Sequence, residues 1–226
     1  MIDLAARALR AILLDIEGTT TPIAFVHDEL FPYARHHLSR FLEQHGERAD
    51  VKRALEMLST EGISDIDAAM ARDSKSPGLK ALQGLIWEHG YRSGDLRGQV
   101  FEDVAPAIRQ WKANGYRIAI YSSGSELAQR LLFQSTPDGD LTPLIDAFFD
   151  TGVGAKRQPG SYEEIARRLR LEPKEILFIS DVTDELAAAA SIGCRVLLSL
   201  RPGNPPQVET PLYQTVSDFR DLSIST

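Results

Sequence analysis

The sequence contains a single cysteine, no long hydrophobic run and no cluster of basic residues, and each shortage excludes a class of protein. With Cys194 as the only cysteine, an internal disulfide is excluded, and we expect a small buried side chain rather than a thiol or zinc site. The five histidines are scattered without metal-ligand spacing. No apolar stretch approaches the roughly 20 residues that cross a bilayer. Residues 1–10 lack the layout of a signal peptide, so a cytoplasmic protein is the expectation.

The balance of charge also limits the partners of the chain. With 25 lysines and arginines against 32 aspartates and glutamates, the net charge is −7. Non-specific binding to nucleic acids or to anionic membranes depends on basic patches, and the sequence has none. We therefore expect no nucleic-acid partner and no membrane partner.

The rest of the composition is that of an ordinary globular protein. The chain has 226 residues, of which 43% are hydrophobic and 25% charged, enough for one large domain or for a core domain with an insertion. Five apolar segments have the near-continuous hydrophobicity of strands that are buried on both faces. The predicted strands are Ala11–Leu14, Ile118–Tyr121, Ala147–Phe149, Ile176–Ile179 and Val196–Leu198.

Amphipathic segments alternate with the later strands. The predicted helices are Val104–Asn114, Glu126–Phe133, Ser161–Arg170 and Asp184–Ile192. Ser161 followed by Glu164 matches a capping box, which predicts a helix start at that serine. Strands that alternate with helices predict an α/β fold with a doubly wound, Rossmann-like parallel sheet.

The interval 28–94 interrupts this alternation, because it contains helical patterns and no convincing strand. We predict an all-helical cap of this extent, inserted after the first strand, with the catalytic core formed by 1–27 and 95–226. An insertion that leaves from the end of a strand can cover a site there and exclude water. Simple helix packing is the alternative, also for Lys80, Gln83 and Trp87, which we consider for substrate selectivity.

The end of the first strand carries the strongest indication of chemistry. Asp15 ends the apolar run, Glu17 follows two positions later, and Gly18 precedes three threonines. Positions i and i+2 of an extended chain face the same side, so both carboxylates can serve one site. This composition suits metal-assisted phosphoryl chemistry, although an ordinary turn with a helix cap has similar residues.

Three further strands end in polar residues, and ligands of open α/β sheets bind outside the carboxyl ends of the strands. Ser122 and Ser123 begin a turn before a helix and can bind an anion there, or simply cap the helix. Lys156 follows a glycine-rich loop and can neutralise phosphate oxygens, or be solvated. Asp181 is an oxygen ligand suited to Mg²⁺, or a helix cap.

The order of these motifs resembles the haloacid dehalogenase superfamily, whose phosphatases pass through an aspartyl-phosphate. A narrower resemblance, over almost the whole chain, is to the acireductone synthase family, the enolase-phosphatases of methionine salvage. Glu17 separates that family from typical superfamily phosphatases, which carry aspartate at this position. The motifs that carry the resemblance are Asp-Ile-Glu-Gly-Thr-Thr-Thr-Pro-Ile (15–23), Phe-Pro-Tyr (31–33), Leu-Gln-Gly (82–84) with Trp87, Tyr-Ser-Ser-Gly-Ser (121–125), Phe-Asp-Thr (149–151), Lys156, Ser-Asp-Val-Thr-Asp-Glu (180–185) and Arg-Pro-Gly-Asn (201–204).

The resemblance implies a substrate, a cofactor and a role for each site residue. The substrate is a phosphorylated diketone, 2,3-diketo-5-methylthiopentyl 1-phosphate, which is enolised and then dephosphorylated with Mg²⁺ as the only cofactor. The implied assignments are Asp15 as nucleophile, Glu17 as general acid and base, Ser122, Ser123 and Lys156 as phosphate ligands, and Asp15, Glu17 and Asp181 as metal ligands. We expect a monomer.

Three other functions are weighed against this expectation. A phosphatase of the superfamily acting on another small phosphate ester would use the same residues. Dehalogenation of a haloacid needs no Mg²⁺ site and leaves the combination of Lys156 and Asp181 unexplained. A catalytically silent protein that binds phosphometabolites would be expected to have lost the nucleophile or a metal ligand, and neither is missing.

Overall fold

The chain divides into two compact units in a computed structural model that describes residues 2–3, 9–72, 74, 76–206 and 213–223. One unit comprises Met1–Ile23 with Gln99–Thr226, and the other comprises Ala24–Gly98. The stretch 1–10, on which the signal-peptide prediction rests, is described only at residues 2–3 and 9–10.

The inserted unit is longer than the predicted 28–94, because chain on both sides of that interval belongs to it. Before the first α-helix the chain already forms a π-helical segment, Phe25–Leu30, with Phe25 buried. After the last helix Leu96 is buried and its N–H donates to the carbonyl of Gly90 at 3.0 Å. These contacts explain why the inserted unit begins before residue 28 and ends after residue 94.

The core of the larger unit is a parallel six-stranded sheet, which confirms the predicted α/β fold. Its strand order is β4-β3-β2-β5-β6-β7, and a separate two-stranded sheet pairs β1 with β8. The strands are Ile2–Asp3 (β1), Ala11–Leu14 (β2), Arg117–Tyr121 (β3), Ala147–Phe149 (β4), Ile176–Ser180 (β5), Arg195–Ser199 (β6), Thr215–Val216 (β7) and Leu222–Ser223 (β8).

Helices cover the sheet. The helices of the chain are Phe31–His45 (α1), Ala49–Thr60 (α2), Ile66–Ala71 (α3), Pro77–Ser93 (α4), Val104–Ala113 (α5), Glu126–Gln134 (α6), Pro159–Leu169 (α7) and Thr183–Ser191 (α8). Leu13 and Phe178 belong to a core cluster that includes residues of α7 and α8. Alternate strand residues such as Ile12 and Ile118 are equally buried, and α5 packs against β3. Because side chains on both faces of the sheet are buried, the sequences of the strands are mostly apolar.

The strand order reverses between β2 and β5. From β2 the chain adds β3 and β4 on one side, then returns to add β5, β6 and β7 on the other. Leu14 lies in register with Ile120 of β3 and with Ile179 of β5. The residues that follow these positions therefore lie level with one another, at the kind of switch point where open α/β sheets bind ligands.

The predicted helix start at Ser161 is wrong, and the structure does not support the two alternatives in which Ser123 or Asp181 caps a helix. The N-cap of α6 is Ser125, whose hydroxyl accepts from the N–H of Ala128, rather than Ser123. Helix α7 begins at Pro159, before Ser161, since proline is favoured at the first helical position. The N-cap of α8 is Val182, so Asp181 does not cap that helix.

Within the inserted unit, the helices pack at close range through glycines. A Cβ atom on Gly78 of α4 would lie 2.7 Å from the backbone nitrogen of Leu58 in α2. The indole N–H of Trp87 donates to the carbonyl of Leu30 at 2.8 Å, and Trp87 and Gln83 are both buried. These contacts show that Trp87 has a packing role inside its own unit. Among the described residues, no helix has the length and apolar character needed to cross a membrane.

Candidate active site

Asp15 lies immediately beyond β2 and is only 4% exposed. Its Oδ1 atom accepts from the Nζ of Lys156 at 2.6 Å and from the N–H of Ile16 at 2.8 Å. Its own N–H donates to the carbonyl of Ile179 at 3.0 Å, so the sheet pairing continues as far as this residue. The carboxylate is therefore fixed by strand pairing and by an ion pair before any ligand arrives.

Lys156 is carried by a loop that three hydroxyl groups hold in place. The hydroxyl of Tyr121 donates to the carbonyl of Gly154 at 2.9 Å, and that of Ser161 to the carbonyl of Ala155 at 2.7 Å. The hydroxyl of Tyr162 donates to the carbonyl of Lys156 itself at 2.7 Å. Three consecutive carbonyls are thus satisfied from the core, and the role of Ser161 is to hold this loop.

Glu185 is a member of the site that the sequence interpretation did not include. Its Oε2 atom lies 2.7 Å from the Nζ of Lys156, and its side chain is 10% exposed. The hydroxyl of Ser180 lies 3.0 Å from Glu185 Oε2 and 3.0 Å from Asp15 Oδ2, and its single proton can serve one of them at a time. Glu185 lies in the first turn of α8, four residues after Asp181.

The site holds more negative than positive charge, and the pKa values reflect this. Burial raises the pKa of Asp181 to about 7, and the charge of Asp15 adds to that effect. Burial and Asp15 likewise raise the pKa of Glu185, whereas Lys156 opposes the shift. Burial lowers the pKa of Lys156, but Asp15 and Glu185 outweigh it and hold the pKa above its ordinary value. Three carboxylates around one ammonium group leave a charge that a cation can neutralise.

The turn after Asp15 folds back on itself. The N–H of Gly18 donates to the carbonyl of Thr21 at 2.9 Å, and Glu17 forms an isolated parallel bridge with Thr21. The hydroxyl of Thr20 donates to the carbonyl of Asp15 at 3.0 Å. In a trans peptide N–H and C=O point in opposite directions, so the Glu17 carbonyl points away from Thr21. The Glu17 carbonyl is thus directed to the side of the turn opposite Thr21.

Gly18 is required in the turn for two reasons. Its φ of +67° lies in the left-handed region that side chains disfavour. A Cβ atom there would also lie 2.5 Å from Asp181 Oδ2 and 2.8 Å from Asn204 Oδ1. The missing side chain therefore lets the oxygen atoms of Asp181 and Asn204 lie close to the backbone of Gly18.

The carboxylates of Asp15 and Asp181 are of the kind that binds a magnesium ion. Mg²⁺ binds through one or two carboxylates together with other oxygen ligands, and the buried negative charge of Asp15 and Asp181 is of this kind. Within the described part of the chain, no three histidine, cysteine, aspartate or glutamate side chains form a metal-binding group by themselves. A cation at this position would therefore use oxygens other than side-chain carboxylates as well.

Buried contacts of Arg201 hold the turn that follows Asp15. Arg201 donates to the carbonyl of Thr19 at 3.0 Å and forms an ion pair with Asp103 at 2.8 Å. Both side chains of this pair are less than 5% exposed. The guanidinium lies over the rings of Phe101 and Phe219, at 4.6 and 4.3 Å from their centroids. This arrangement links the start of α5 to the turn that follows Asp15.

Ser122 and Ser123 follow β3, the neighbour of β2. Ser122 is buried, its N–H donates to the carbonyl of Phe149 at 3.1 Å, and its hydroxyl accepts from the N–H of Gly124 at 3.2 Å. Gln129 of α6 donates to the carbonyls of Gly124 and Phe149, both at 2.8 Å. Ser123 is exposed. These hydrogen bonds hold the loop 122–124 in place, and Ser123 lies exposed within it.

Of the residues predicted for the site, the structure brings Asp15, Lys156 and Asp181 into one electrostatic cluster. Glu17 lies in the turn that follows Asp15. Strand register puts Tyr121 level with Asp15, so Ser122 stands one residue further along the adjacent strand. Their roles as nucleophile, acid, phosphate ligands and metal ligands stay predictions.

Comparisons with known proteins show which family the chain resembles. A family model described as haloacid dehalogenase-like hydrolase matches residues 9–193. The chain is 50% identical over 196 residues to enolase-phosphatase E1 of Acidiphilium cryptum, covering 84% of each chain. It is 46% identical over 232 residues to enolase-phosphatase E1 of Sorangium cellulosum, covering 97% of this chain and 100% of the relative.

A solved structure extends the likeness to three dimensions. The crystal structure of the UTR4 protein from Saccharomyces cerevisiae has a TM-score of 0.82 and 37% identity, over 95% of this chain and 100% of that one. The family model and the similarity to whole relatives together show that the chain belongs to the enolase-phosphatase E1 family of haloacid dehalogenase-like hydrolases.

Proposed function

We propose that this protein is an acireductone synthase, which enolises 2,3-diketo-5-methylthiopentyl 1-phosphate and then removes its phosphate to give the acireductone of methionine salvage. The observation that carries the proposal is the buried carboxylate of Asp15, 2.6 Å from Lys156 at the switch point of the sheet. Membership of the enolase-phosphatase family supports the choice of substrate.

Asp15 is the nucleophile in the phosphoryl step. One of its oxygens forms a bond to phosphorus while the bond from phosphorus to the substrate oxygen breaks, which leaves an aspartyl-phosphate. Glu17 gives a proton to the departing oxygen and then takes one from the water that attacks the aspartyl-phosphate. Inorganic phosphate leaves, and both carboxyl groups return to their starting states.

Lys156 balances the charge of the transferred group. Its ammonium already touches Asp15 and Glu185, so it stands next to the atom that receives the phosphoryl group. Ser122 and Ser123 follow the neighbouring strand, and we assign them to the phosphate oxygens on the strength of that position. Fixed donors of this kind stabilise charge that spreads during transfer.

We assign Mg²⁺ to Asp15, Asp181 and the main-chain carbonyl of Glu17. When bound, the cation neutralises part of the charge on the nucleophile and the phosphate, and it orients their oxygens. Without such neutralisation, two unit charges ~4 Å apart repel each other by about 4 kcal/mol at an effective dielectric constant of about 20. Burial and the charge of Asp15 raise the pKa of Asp181 to about 7, and a cation bound nearby would lower it.

Enolisation requires a base that removes a proton next to a carbonyl group. We assign this proton transfer to Glu17 as well, because glutamate reaches one methylene further than the aspartate of ordinary superfamily phosphatases. In its ionised form Glu17 removes the carbon-bound proton, while the carbonyl oxygen of the substrate takes a proton from water. Glu17 then gives its proton to the departing oxygen, takes one from the attacking water and loses that proton to solvent before the next turnover. Glu17 would thereby serve both halves of the reaction.

The proposal is tested by adding the diketone phosphate to the protein with and without Mg²⁺ while enol absorbance and free phosphate are recorded together. We expect both signals with Mg²⁺ and no phosphate release after chelation. Phosphate release without an enol signal, or from other phosphate esters at equal rates, would favour a phosphatase of different specificity. Product formation without phosphate release would contradict the combined reaction.

We further propose a monomer located in the cytoplasm, with the inserted helical unit as a cap that selects the thioether chain. The single cysteine, free and buried, is consistent with a reducing compartment. Analytical ultracentrifugation tests the first statement, cell fractionation the second, and substrate analogues shortened at the thioether end the third.

A further inference from the structure

Gln129 is a buried residue of α6, and its side chain joins two carbonyl groups near the end of the sheet. Only 1% of the residue is exposed. Its amide nitrogen donates to the carbonyls of Gly124 and Phe149, both at 2.8 Å. A primary amide has two N–H donors, so one can serve each carbonyl. The side chain thereby ties the loop 122–124 to the end of β4.

The orientation of this amide is determined by its partners. The opposite orientation would place the amide oxygen against two carbonyl oxygens, which cannot donate. In the orientation present, the amide oxygen is buried and accepts no hydrogen bond from the described residues. Because a buried acceptor without a donor lowers stability, a methionine of similar size would avoid a cost that the glutamine carries. What the glutamine contributes is therefore its pair of donors.

These hydrogen bonds determine how the peptides of the loop are oriented. The N–H of Gly124 donates to the hydroxyl of Ser122 at 3.2 Å, and the N–H of Ser122 donates to the carbonyl of Phe149 at 3.1 Å. Gly124 is thus held through both its N–H and its carbonyl. Because N–H and C=O point in opposite directions across a trans peptide, the N–H of Ser125 points away from Gln129. Gln129 therefore sets the direction of this N–H group at the start of α6.

We infer that Gln129 is a positioning residue, which orients the loop after β3 so that it binds the phosphate of the substrate. The inference rests on the assignment of Ser122 and Ser123 to the phosphate oxygens in the proposed function. N–H groups at the start of a helix bind anions when they point at the ligand, and donors that are already fixed bind better than donors ordered on binding. Because Gln129 acts through the loop and not on the reacting atoms, its loss weakens phosphate binding more than it slows the chemical step.

Two variants separate the donors of Gln129 from its contribution to packing. Gln129→Met keeps the approximate volume of the side chain and removes both donors. Leu132→Ala is the control, since it removes a buried side chain of the same helix that takes no part in these hydrogen bonds. This second variant is expected to lower the melting temperature by leaving a cavity and to leave the loop unchanged. The comparison distinguishes the orientation of the loop from the general stability of α6.

Isothermal titration with inorganic phosphate in the presence of Mg²⁺ tests the inference without turnover, and steady-state kinetics with the diketone phosphate add KM and kcat. We expect Gln129→Met to weaken phosphate binding and to raise KM, each on the order of tenfold, with kcat near that of the wild type. Leu132→Ala should bind phosphate as tightly as the wild type does. If Gln129→Met does not fold, Gln129→Asn, whose amide is one methylene too short to reach both carbonyls, is expected to show the same loss.

Two results would overturn the inference. Phosphate binding by Gln129→Met that is as tight as in the wild type would show that the two donors do not orient the loop for phosphate. An equal weakening of phosphate binding in Gln129→Met and Leu132→Ala would reduce Gln129 to a packing residue of α6. A wild-type protein that neither binds inorganic phosphate nor releases it from the diketone phosphate would instead contradict the proposed function.

Discussion

At the scale of single residues, the carboxylates of Asp15 and Glu17 lie in different environments. Asp15 is buried and paired with Lys156, whereas Glu17 stands in the turn beyond the strand, after the buried Ile16. A paired, immobile carboxylate suits a nucleophile that must meet phosphorus at one point. A carboxylate on a turn suits proton transfer at more than one substrate atom.

The two roles give different predictions for substitution. Asp15→Asn should abolish phosphate release, because the amide oxygen is a far weaker nucleophile than a carboxylate. Glu17→Ala should reduce both the enol signal and phosphate release, with each loss on the order of 10²–10⁴-fold, as for removal of a general acid or base. Simultaneous recording of enol absorbance and phosphate measures both.

Asp184→Asn is the control, since this carboxylate is 65% exposed and its partner Arg157 is equally open to solvent. Its activity should stay near that of the wild type. Wild-type enolisation by Glu17→Ala would disprove the double role, and phosphate release by Asp15→Asn at a comparable rate would remove the nucleophile assignment.

The raised pKa of Asp181 predicts how magnesium binding depends on pH. Its carboxyl titrates near pH 7 in the metal-free site, so it is protonated below that pH and ionised above it. The cation binds the ionised form and must displace the proton at lower pH. Mg²⁺ affinity should therefore fall about tenfold between pH 8 and pH 6.

Calorimetric titrations with Mg²⁺ at these two pH values, in buffers of matched ionic strength, measure the change. Asp184→Asn should show the same pH dependence as the wild type. An affinity that is constant from pH 6 to pH 8 would contradict the assignment of Asp181 as a ligand that titrates near neutrality.

At the scale of elements, the loop that carries Lys156 depends on hydroxyl groups from the core. Tyr162→Phe removes the hydrogen bond to the carbonyl of Lys156 and leaves that carbonyl without its donor. We expect a loss of about 0.5–1.5 kcal/mol in the free energy of unfolding and weaker inhibition by inorganic phosphate. Urea denaturation and phosphate inhibition measure the two effects.

Tyr116→Phe is the matched control for this variant. Tyr116 is also buried, but its hydroxyl has no hydrogen-bond partner among the described residues. Its removal should leave stability and phosphate inhibition unchanged or slightly improve stability. Equal effects of the two substitutions would show that the hydroxyl of Tyr162 does not hold the loop.

The elements also show what sequence patterns can and cannot predict. The five longer strands of the six-stranded sheet were predictable because they are largely buried on both faces, so their sequences are mostly apolar. The cap of α7 was misplaced because the serine-to-glutamate spacing at Ser161 does not reveal that Pro159 has already started the helix. The short strands β1, β7 and β8 have two residues each, too few for any period to be visible.

The candidate site was predictable in part for the same reason. Residues at the ends of recognisable strands, such as Asp15 and Asp181, can be assigned to one edge of a parallel sheet from sequence alone. Glu185 was not predicted because acidic residues are common in the first turn of any helix, and it lies in the first turn of α8. The hydrogen bond from Asn204 to the carbonyl of Gly18 was not predicted, because it joins residues that are distant in sequence.

At the scale of the whole molecule, a buried ion pair joins segments that are far apart in the chain. Arg201 and Asp103 link the start of α5 to the turn after Asp15 and to the segment at Ser217. Removing one partner leaves the other as an unpaired buried charge. Asp103→Ala should therefore lower the free energy of unfolding by about 3–5 kcal/mol.

The exposed pair of Arg167 and Glu164 supplies the comparison, because the side chain of Arg167 is 72% exposed. Arg167→Ala should cost less than about 1 kcal/mol. Urea denaturation of both variants measures the difference, and a loss of similar size in both would mean that the buried pair does not hold the segments together.

The central claim is that the phosphoryl group passes from the substrate to Asp15 before phosphate is released. Trapping this covalent intermediate tests the claim most directly. The protein is mixed with the diketone phosphate and Mg²⁺, quenched in acid within a single turnover, and digested for mass spectrometry. We predict one added phosphoryl group on the peptide that contains Asp15, and none in Asp15→Asn. Phosphate released at the wild-type rate with that peptide unmodified at every quench time would contradict the account.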